Sequence, residues 1–272
     1  MIYYQTMQLF QSSSSAHWYD KDGKPCHSVP YADKKRANES RPTNLTDARK
    51  LNLLPSVTSI LGIIAKPQLD DWKQTQAVMS ALTLPRKEGE IDDDFAKRVV
   101  LDSREQVSEA ASRGTKVHAA IEQFLLFGEI CPDVSVREIF LPFVDWAKEN
   151  ILDICYSERV LVGDGYAGTC DLKAEIRGVG LAIADFKTRR PYNGKFAGYI
   201  TDNLQLSAYR AADALHQPHT IAPHRLSIFI NSEEPSLPHV HPWPTEDNDA
   251  SFAAFMAAFT LWKYEKNYNP SV

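Results

Sequence analysis

Two short stretches carry residue types that could do chemistry together: Gly168-Thr169-Cys170-Asp171-Leu172 and Ile183-Ala184-Asp185-Phe186-Lys187-Thr188. Both lie in β-rich runs. Residues two apart on a strand leave the same face, so Asp185 and Lys187 point together while Phe186 points away. Asp171, fourteen residues before Asp185, falls on the neighbouring strand of a hairpin turned at Gly178-Val179-Gly180 and reaches the same edge. Two carboxylates and an ammonium thus converge. Carboxylates are hard oxygen ligands for Mg2+ or Mn2+, ions that keep positions open for phosphate and water and lower the pKa of that water. The constellation therefore suits phosphodiester hydrolysis. Lys187 would either give up its proton and act as a base, or stay charged and orient water and phosphate. The competing reading is a solvated Asp185–Lys187 pair on an edge strand, which contributes little. Against it, the apolar run Leu181-Ala182-Ile183-Ala184 argues for a mostly buried strand, where bare charges are costly without partners.

The elements that must position these residues follow from pattern. Asp22-Gly23 marks a hairpin within His17 to Val29, and Tyr31 to Lys50 reads as polar loop, so residues 1–54 form an appendage before the core. Ser56 caps a helix over Val57 to Ile64, and Pro67 opens another that runs to about Leu82 and ends at Pro85. After the acidic link Glu88 to Asp94, helical pattern covers Phe95 to Ala111 and then Thr115 to Phe127, with Val117, Ile121, Phe124 and Leu125 on one stripe. A further helix covers Val136 to Asn150. Ile154 to Val162, Ala167 to Ile176 and Gly180 to Lys187 read as three strands of a meander. Asn203 to Leu215 returns to helix, Arg225 to Ile230 and Leu237 to Trp243 are strands, and Asp249 to Tyr268 is a closing helix. The fold class is α/β, a mixed central sheet flanked by helices with an α-helical N-terminal portion. Residues 55–272 make one domain, helical over about 55–150 and sheet-based over about 151–272.

Taken together, these residues resemble the PD-(D/E)XK (restriction-endonuclease-like) nuclease superfamily, in its RecB-like and lambda-exonuclease-like branch. The resemblance rests on five motifs in order across about Pro55 to Tyr209. Pro55-Ser56-Val57-Thr58-Ser59-Ile60-Leu61 is similar to the start of phage and mitochondrial genome maintenance exonucleases. Arg113-Gly114-Thr115-Lys116-Val117-His118-Ala119-Ala120-Ile121-Glu122 resembles the family's G-x-x-x-H-x-x-x-E helix, and Glu158 matches the acidic residue of its first core strand. Gly168-Thr169-x-Asp171 with Asp185-x-Lys187 is similar to the catalytic strands, and Gln205-Leu206-Ser207-Ala208-Tyr209 to the Q-x-x-x-Y helix that follows. The element order also fits the family's αβββαβ core.

The resemblance implies roles position by position. Asp171, Asp185, the Phe186 backbone carbonyl and His118 would ligate the metal, one or two Mg2+ or Mn2+ ions in all, and Lys187 would be the catalytic lysine. Glu122 shares the face of His118 one turn on and would orient its ring or bind a second metal through water. Glu158 would complete a second metal site or fix Lys187, and Gln205 and Tyr209 would steady the scissile phosphate or Lys187. Read without the family, His118 is a hydrogen-bonded core histidine, Glu122 and Glu158 are surface carboxylates, and Gln205 and Tyr209 belong to an ordinary amphipathic helix. Asp171 follows Gly168-Thr169-Cys170 rather than Pro-Asp, a form usual in the RecB-like branch. Some relatives hold an iron-sulfur cluster through cysteines near the C-terminus. Here none follows Cys170, so no cluster is expected.

The implied substrate is DNA, trimmed from its ends in replication, recombination or repair. Arg113, Thr188, Arg189, Arg190 and Lys195 around the catalytic strand, with Lys34-Lys35-Arg36 and Arg86-Lys87, are the candidate phosphate contacts, and Trp18, Tyr19 and Trp72 are candidates for stacking on unpaired bases. Alternatives are a structure-specific or restriction-type endonuclease with the same site, and a catalytically silent DNA-binding recombination module. A recombination or replication protein is a possible partner on this reading, and a ring-shaped trimer and a monomer both suit the core. A remoter alternative is a metabolic Mg2+ enzyme acting on a small phosphorylated substrate, against which stands the lack of a G-x-x-x-x-G-K-[ST] phosphate loop. With 30 Lys and Arg against 35 Asp and Glu, the net charge of −5 excludes histone-like binding through bulk charge. Cys26, Cys131, Cys155 and Cys170 form no C-x-x-C pair, which argues against a zinc ribbon or disulfide framework. Met1 to Phe10 has no cationic lead into an apolar stretch, and no run approaches the ~20 residues of a membrane span, so a cytoplasmic protein without a membrane partner is expected.

Overall fold

The computed structural model describes residues 17–31, 39–130, 133–217 and 223–270; Lys34-Lys35-Arg36, Cys131 and the N-terminal Met1 to Phe10 stretch lie outside them. In chain order the elements are β1 (Trp18–Tyr19), β2 (Ser28–Pro30), β3 (Ser40–Pro42), α1 (Leu45–Leu51), β4 (Leu54–Pro55), α2 (Val57–Leu61), α3 (Pro67–Thr83), α4 (Asp92–Phe127), α5 (Val134–Asn150), β5 (Ile151–Val162), β6 (Ala167–Ile176), β7 (Gly180–Arg189), α6 (Ile200–His216), β8 (His224–Asn231), β9 (His239–Pro242) and α7 (Asn248–Lys266).

The central sheet has the order β5-β6-β7-β8-β9. Strands β5, β6 and β7 form an antiparallel meander, whereas β7 and β8 are parallel and joined by the α6 crossover. The alternation of β7 sorts its side chains onto two cores. Ala182, Ala184 and Phe186 face α4 and α5, meeting Val117, Ile121, Phe140 and Phe143. Ile183 faces the opposite layer, where Leu204 and Leu206 of α6 and Phe255, Phe259 and Trp262 of α7 pack. The molecule is thus a mixed α/β fold whose five-stranded sheet is covered on both faces by helices.

Three parts differ from the pattern-based expectation. Among the described residues before Pro55, Trp18, Tyr19, Ala48, Leu53 and Leu54 belong to the core and not to an appendage. Trp18 and Tyr19 are buried, β1 pairs with β4, and Trp18 meets Trp262 and Tyr268 edge-on. An aromatic pair of this size gains more by filling the core than by standing off in water. The stretch read as loop contains α1, whose N-cap Asn44 and Asp47 form a reciprocal capping box. The two helical patterns before and after Gly114 are one helix of 36 residues. A single helical glycine costs only about 1 kcal/mol, and packing of α4 against α3 and α5 outweighs it. Asp92, Asp93 and Asp94 in its first turn complement the helix dipole, and Gly128 closes it in the left-handed conformation. Among the described residues, no helix is long and apolar enough to cross a membrane.

Candidate metal centre

The β6–β7 register sets Leu172 opposite Ala184, which brings Asp171 and Asp185 side by side where the ladder ends. In place of a main-chain acceptor, the Phe186 N–H donates to Asp171 Oδ2 at 2.8 Å. The same oxygen lies 3.0 Å from Nε2 of His118, which α4 lays across the strand ends. Glu158 comes from β5, with Oε1 3.9 Å from Nδ1 of His118. Ligand atoms of His118, Glu158 and Asp171 all fall within 4.8 Å of one another.

Glu158 reaches this group by a backbone irregularity. It stands inside β5, not at a strand end, and its φ is 51°, in the left-handed region. Among the described residues the other non-glycine residues in that region are asparagines, which tolerate it through local hydrogen bonding, whereas a glutamate there is strained. Such strain persists where the surroundings impose it, commonly at functional sites. Its neighbour Ser157 donates to the Asp171 carbonyl at 3.0 Å, tying the irregular turn of β5 to the Asp171 backbone.

Asp185 and Lys187 leave β7 on the α6 side, as the strand alternation requires, and meet Gln205. The Gln205 amide donates to Asp185 Oδ1 at 2.7 Å and to the Tyr209 hydroxyl at 3.3 Å, while its carbonyl accepts from Lys187 Nζ at 3.2 Å. Gln205 and Tyr209 therefore steady Asp185 and Lys187. Gly168 makes room for this arrangement, because a Cβ there would lie 2.8 Å from Cε1 of Tyr209. Lys187 Nζ sits 2.5 Å from Asp185 Oδ2. This buried oxygen is thus met by the ammonium in a close ion pair.

Crowding of carboxylates sets the protonation pattern. Burial, reinforced by Asp171, Glu122 and Asp185 and opposed by His118, pushes Glu158 up to about 8. Burial also lifts Asp185 to about 6 against the pull of Lys187. For Asp171, burial is outweighed by His118, Lys187 and the Phe186 N–H, so its carboxyl falls below the usual range. Burial alone would lower His118, but Asp171, Glu158 and Asp185 raise it to about 9. Lys187, likewise opposed by burial, is raised by Asp185, Asp171 and Asp202 and is held as an ammonium. Asp171, Asp185 and Glu158 crowd His118 and Lys187, raising Glu158, Asp185 and His118, and this surplus of negative charge among oxygen and imidazole ligands fits a divalent cation.

The remaining candidates divide. Glu122 lies close enough to Glu158 to raise it but is outside the three-residue group. Arg189 is committed internally: it donates to Asp202 at 2.8 Å and to the Ala197 carbonyl at 3.0 Å, and its guanidinium packs on Tyr199 and Phe229. Arg113 donates to the Ser232 carbonyl and Arg190 pairs with Glu233, both at the surface. Thr188 continues the β7–β8 ladder opposite Ile230, and Lys195 closes a turn with Tyr192. Trp18 and Tyr19 are core residues rather than free stacking surfaces, and Trp72 is half-buried on α3.

Sequence reading missed Asp202 and the part Tyr19 plays. Asp202 holds Arg189, accepts the Tyr199 N–H at 2.9 Å and adds negative charge beside Lys187. Its place in the first turn of α6 is the signal that could have revealed it. The Tyr19 hydroxyl lies 3.1 Å from the Thr169 hydroxyl, a contact across 150 positions that no local pattern announces. A cleft of about 670 Å3 opens beside Lys187 and Gln205, walled by the starts of α3 and α6. No protein-family model matches the chain, and no curated protein matches it significantly.

Proposed function

We propose that this chain is a metal-dependent DNA exonuclease, hydrolysing phosphodiester bonds at DNA ends on a PD-(D/E)XK core of the RecB-like, lambda-exonuclease-like kind. The observation that carries the reading is the meeting of His118, Glu158 and Asp171 within 4.8 Å, next to Asp185, Lys187 and Gln205, at the point where β6 and β7 part. The α5-β5-β6-β7-α6-β8 order supports it, and the five sequence motifs supply the specific choice of DNA ends.

His118, Glu158 and Asp171 would hold the ion, with the Asp185 carboxylate beside them, held by Lys187 and Gln205. Bound Mg2+ or Mn2+ supplies positive charge beside the scissile phosphate and acidifies water. Lys187, fixed between Asp185 and Gln205 and lining the cleft, donates to a phosphate oxygen or to the attacking water. Of the two roles open to it from sequence, its raised pKa favours the charged, orienting one. Tyr209 and Gly168 fix Gln205, so the ammonium is aimed before substrate arrives.

The test is cleavage of end-labelled single-stranded, duplex and circular DNA with Mg2+ or Mn2+, with EDTA, and with Lys187→Ala and Asp185→Ala. Metal-dependent loss of linear DNA that spares circles and vanishes in both variants is the expected result. Nicked circles would replace this reading with the endonuclease, and binding without cleavage would replace it with the silent module.

A further inference from the structure

The cleft beside Lys187 has a feature that phosphodiester hydrolysis does not need. Its lining includes Lys66, Lys187, Arg189, Thr201 and the ring of Tyr199. Tyr199 is 37% exposed, so much of its ring is open to an incoming group. The guanidinium of Arg189 lies 4.1 Å from the Tyr199 ring centroid, covering one face. Among the described residues no other aromatic ring stacks on Tyr199. Arg189 is itself clamped by Asp202, which also lines the cleft, and by the Ala197 carbonyl and the Phe229 ring, so the Tyr199 ring is fixed in advance in a cleft with Lys66 and Lys187. A partly exposed ring with a cation on one face suits a flat aromatic ligand, and the lysines suit the phosphates attached to it.

We infer that Tyr199, backed by Arg189, is a stacking platform for one unpaired nucleobase of a single strand lying in this cleft beside Lys187. The inference rests on the nuclease reading and deepens it by assigning the substrate as single-stranded. Bases inside a duplex are stacked on both faces and cannot offer one to a protein ring. At about 670 Å3, the cleft is of small-ligand size and takes a short piece of one strand. Lys66 at the start of α3 sets that helix's N-terminus on the same cleft, a further attraction for a phosphate chain.

The experiment reads binding and cleavage separately. A short single-stranded oligonucleotide carrying 2-aminopurine at successive positions is titrated with the full chain in EDTA, and the same strand is assayed for cleavage in Mg2+. At one position the probe fluorescence is expected to be quenched by the native protein and by Tyr199→Trp, but not by Tyr199→Leu. An abasic residue at that position should weaken binding by about 5- to 100-fold, as should Tyr199→Leu, while a blunt duplex binds more weakly than the single strand. The abasic strand leaves the protein unaltered, so the outcome does not depend on a variant folding. Equal quenching by Tyr199→Leu, equal binding of the abasic strand, or tighter binding of the duplex would overturn the platform. Absence of cleavage of any DNA by the native protein would instead remove the nuclease reading, and Tyr199-dependent quenching would then stand as single-strand recognition alone.

Discussion

Two lysine–aspartate pairs sit between the sheet and α6, built from the same residue types and put to opposite uses. In one, Lys173 of β6 and Asp213 of α6 are both buried and 2.7 Å apart. Tyr156 donates to the second Asp213 oxygen at 2.9 Å, and Lys173 also donates to Gln217 at 2.8 Å. Charge balances charge and both carboxylate oxygens have donors. In the other, Lys187 is 24% exposed and 2.5 Å from Asp185, and Asp171 and Glu158 add their carboxylates to the same space. The first is a closed ion pair of the kind a core tolerates when every polar atom is satisfied. The second is left unbalanced, and its deficit matches a missing positive charge. Burial alone does not separate a structural pair from a site; the balance of charges does.

The sharpest break of that comparison is expected from Lys187→Ala, which should lower the cleavage rate by about 10^2- to 10^4-fold while leaving the circular dichroism spectrum and melting point close to native. Lys173→Met should do the reverse. Removing one member of the closed pair leaves Asp213 buried and unpaired, at a cost of about 3–5 kcal/mol in denaturant unfolding, with the rate per folded molecule retained.

A pH series sharpens the contrast. Glu158 rises from 4.5 to about 8 and His118 from 6.5 to about 9 on folding. A group whose folded pKa is raised contributes stability below its unfolded pKa and loses it as pH climbs through the folded one. Without divalent ion, the melting point should therefore decline between about pH 4.5 and 9, beyond what other groups contribute. Because ligands must shed their protons, the stabilisation by added Mn2+ should grow over the same window and disappear in His118→Ala with Glu158→Gln. Calorimetric unfolding with and without Mn2+ checks both, and a Mn2+ effect independent of pH would contradict the assignment of those ligands. The smallest effect is expected at Gly168→Ala, whose added methyl group presses on Tyr209. Overpacking of this size costs about 1–3 kcal/mol, and the displaced Gln205 should reduce cleavage while Mn2+ affinity stays native.

Much of the fold was legible because its signals are local. Ala167 to Ile176 is read from sequence with the bounds it has in the structure, since glycines frame it and β-rich residues fill it. The Asp185/Lys187 side of β7 and the Phe186 side follow from strand alternation alone, and the α6 contacts of Gln205 agree with that assignment. What sequence could not show depends on distant partners. The burial of Trp18 depends on Trp262 and Tyr268, more than two hundred positions away, and the continuity of α4 through Gly114 depends on flanking helices. Nor does any local pattern announce that Glu158 adopts a left-handed backbone, which is what turns its side chain toward His118 and Asp171. Arg189 shows the converse error. Its place after the catalytic strand suggests a free phosphate contact, but α6 supplies Asp202 and the sheet supplies Phe229 to hold it.

The most direct test of the central claim is the initial rate of hydrolysis of labelled linear DNA in Mg2+ by native protein, Asp185→Asn and Asp213→Asn, each corrected for the folded fraction. The account predicts rapid hydrolysis by the native chain, none by Asp185→Asn despite a fold at least as stable, and a near-native rate for what remains folded of Asp213→Asn. Hydrolysis by Asp185→Asn at the native rate, or none by the native chain, would contradict it.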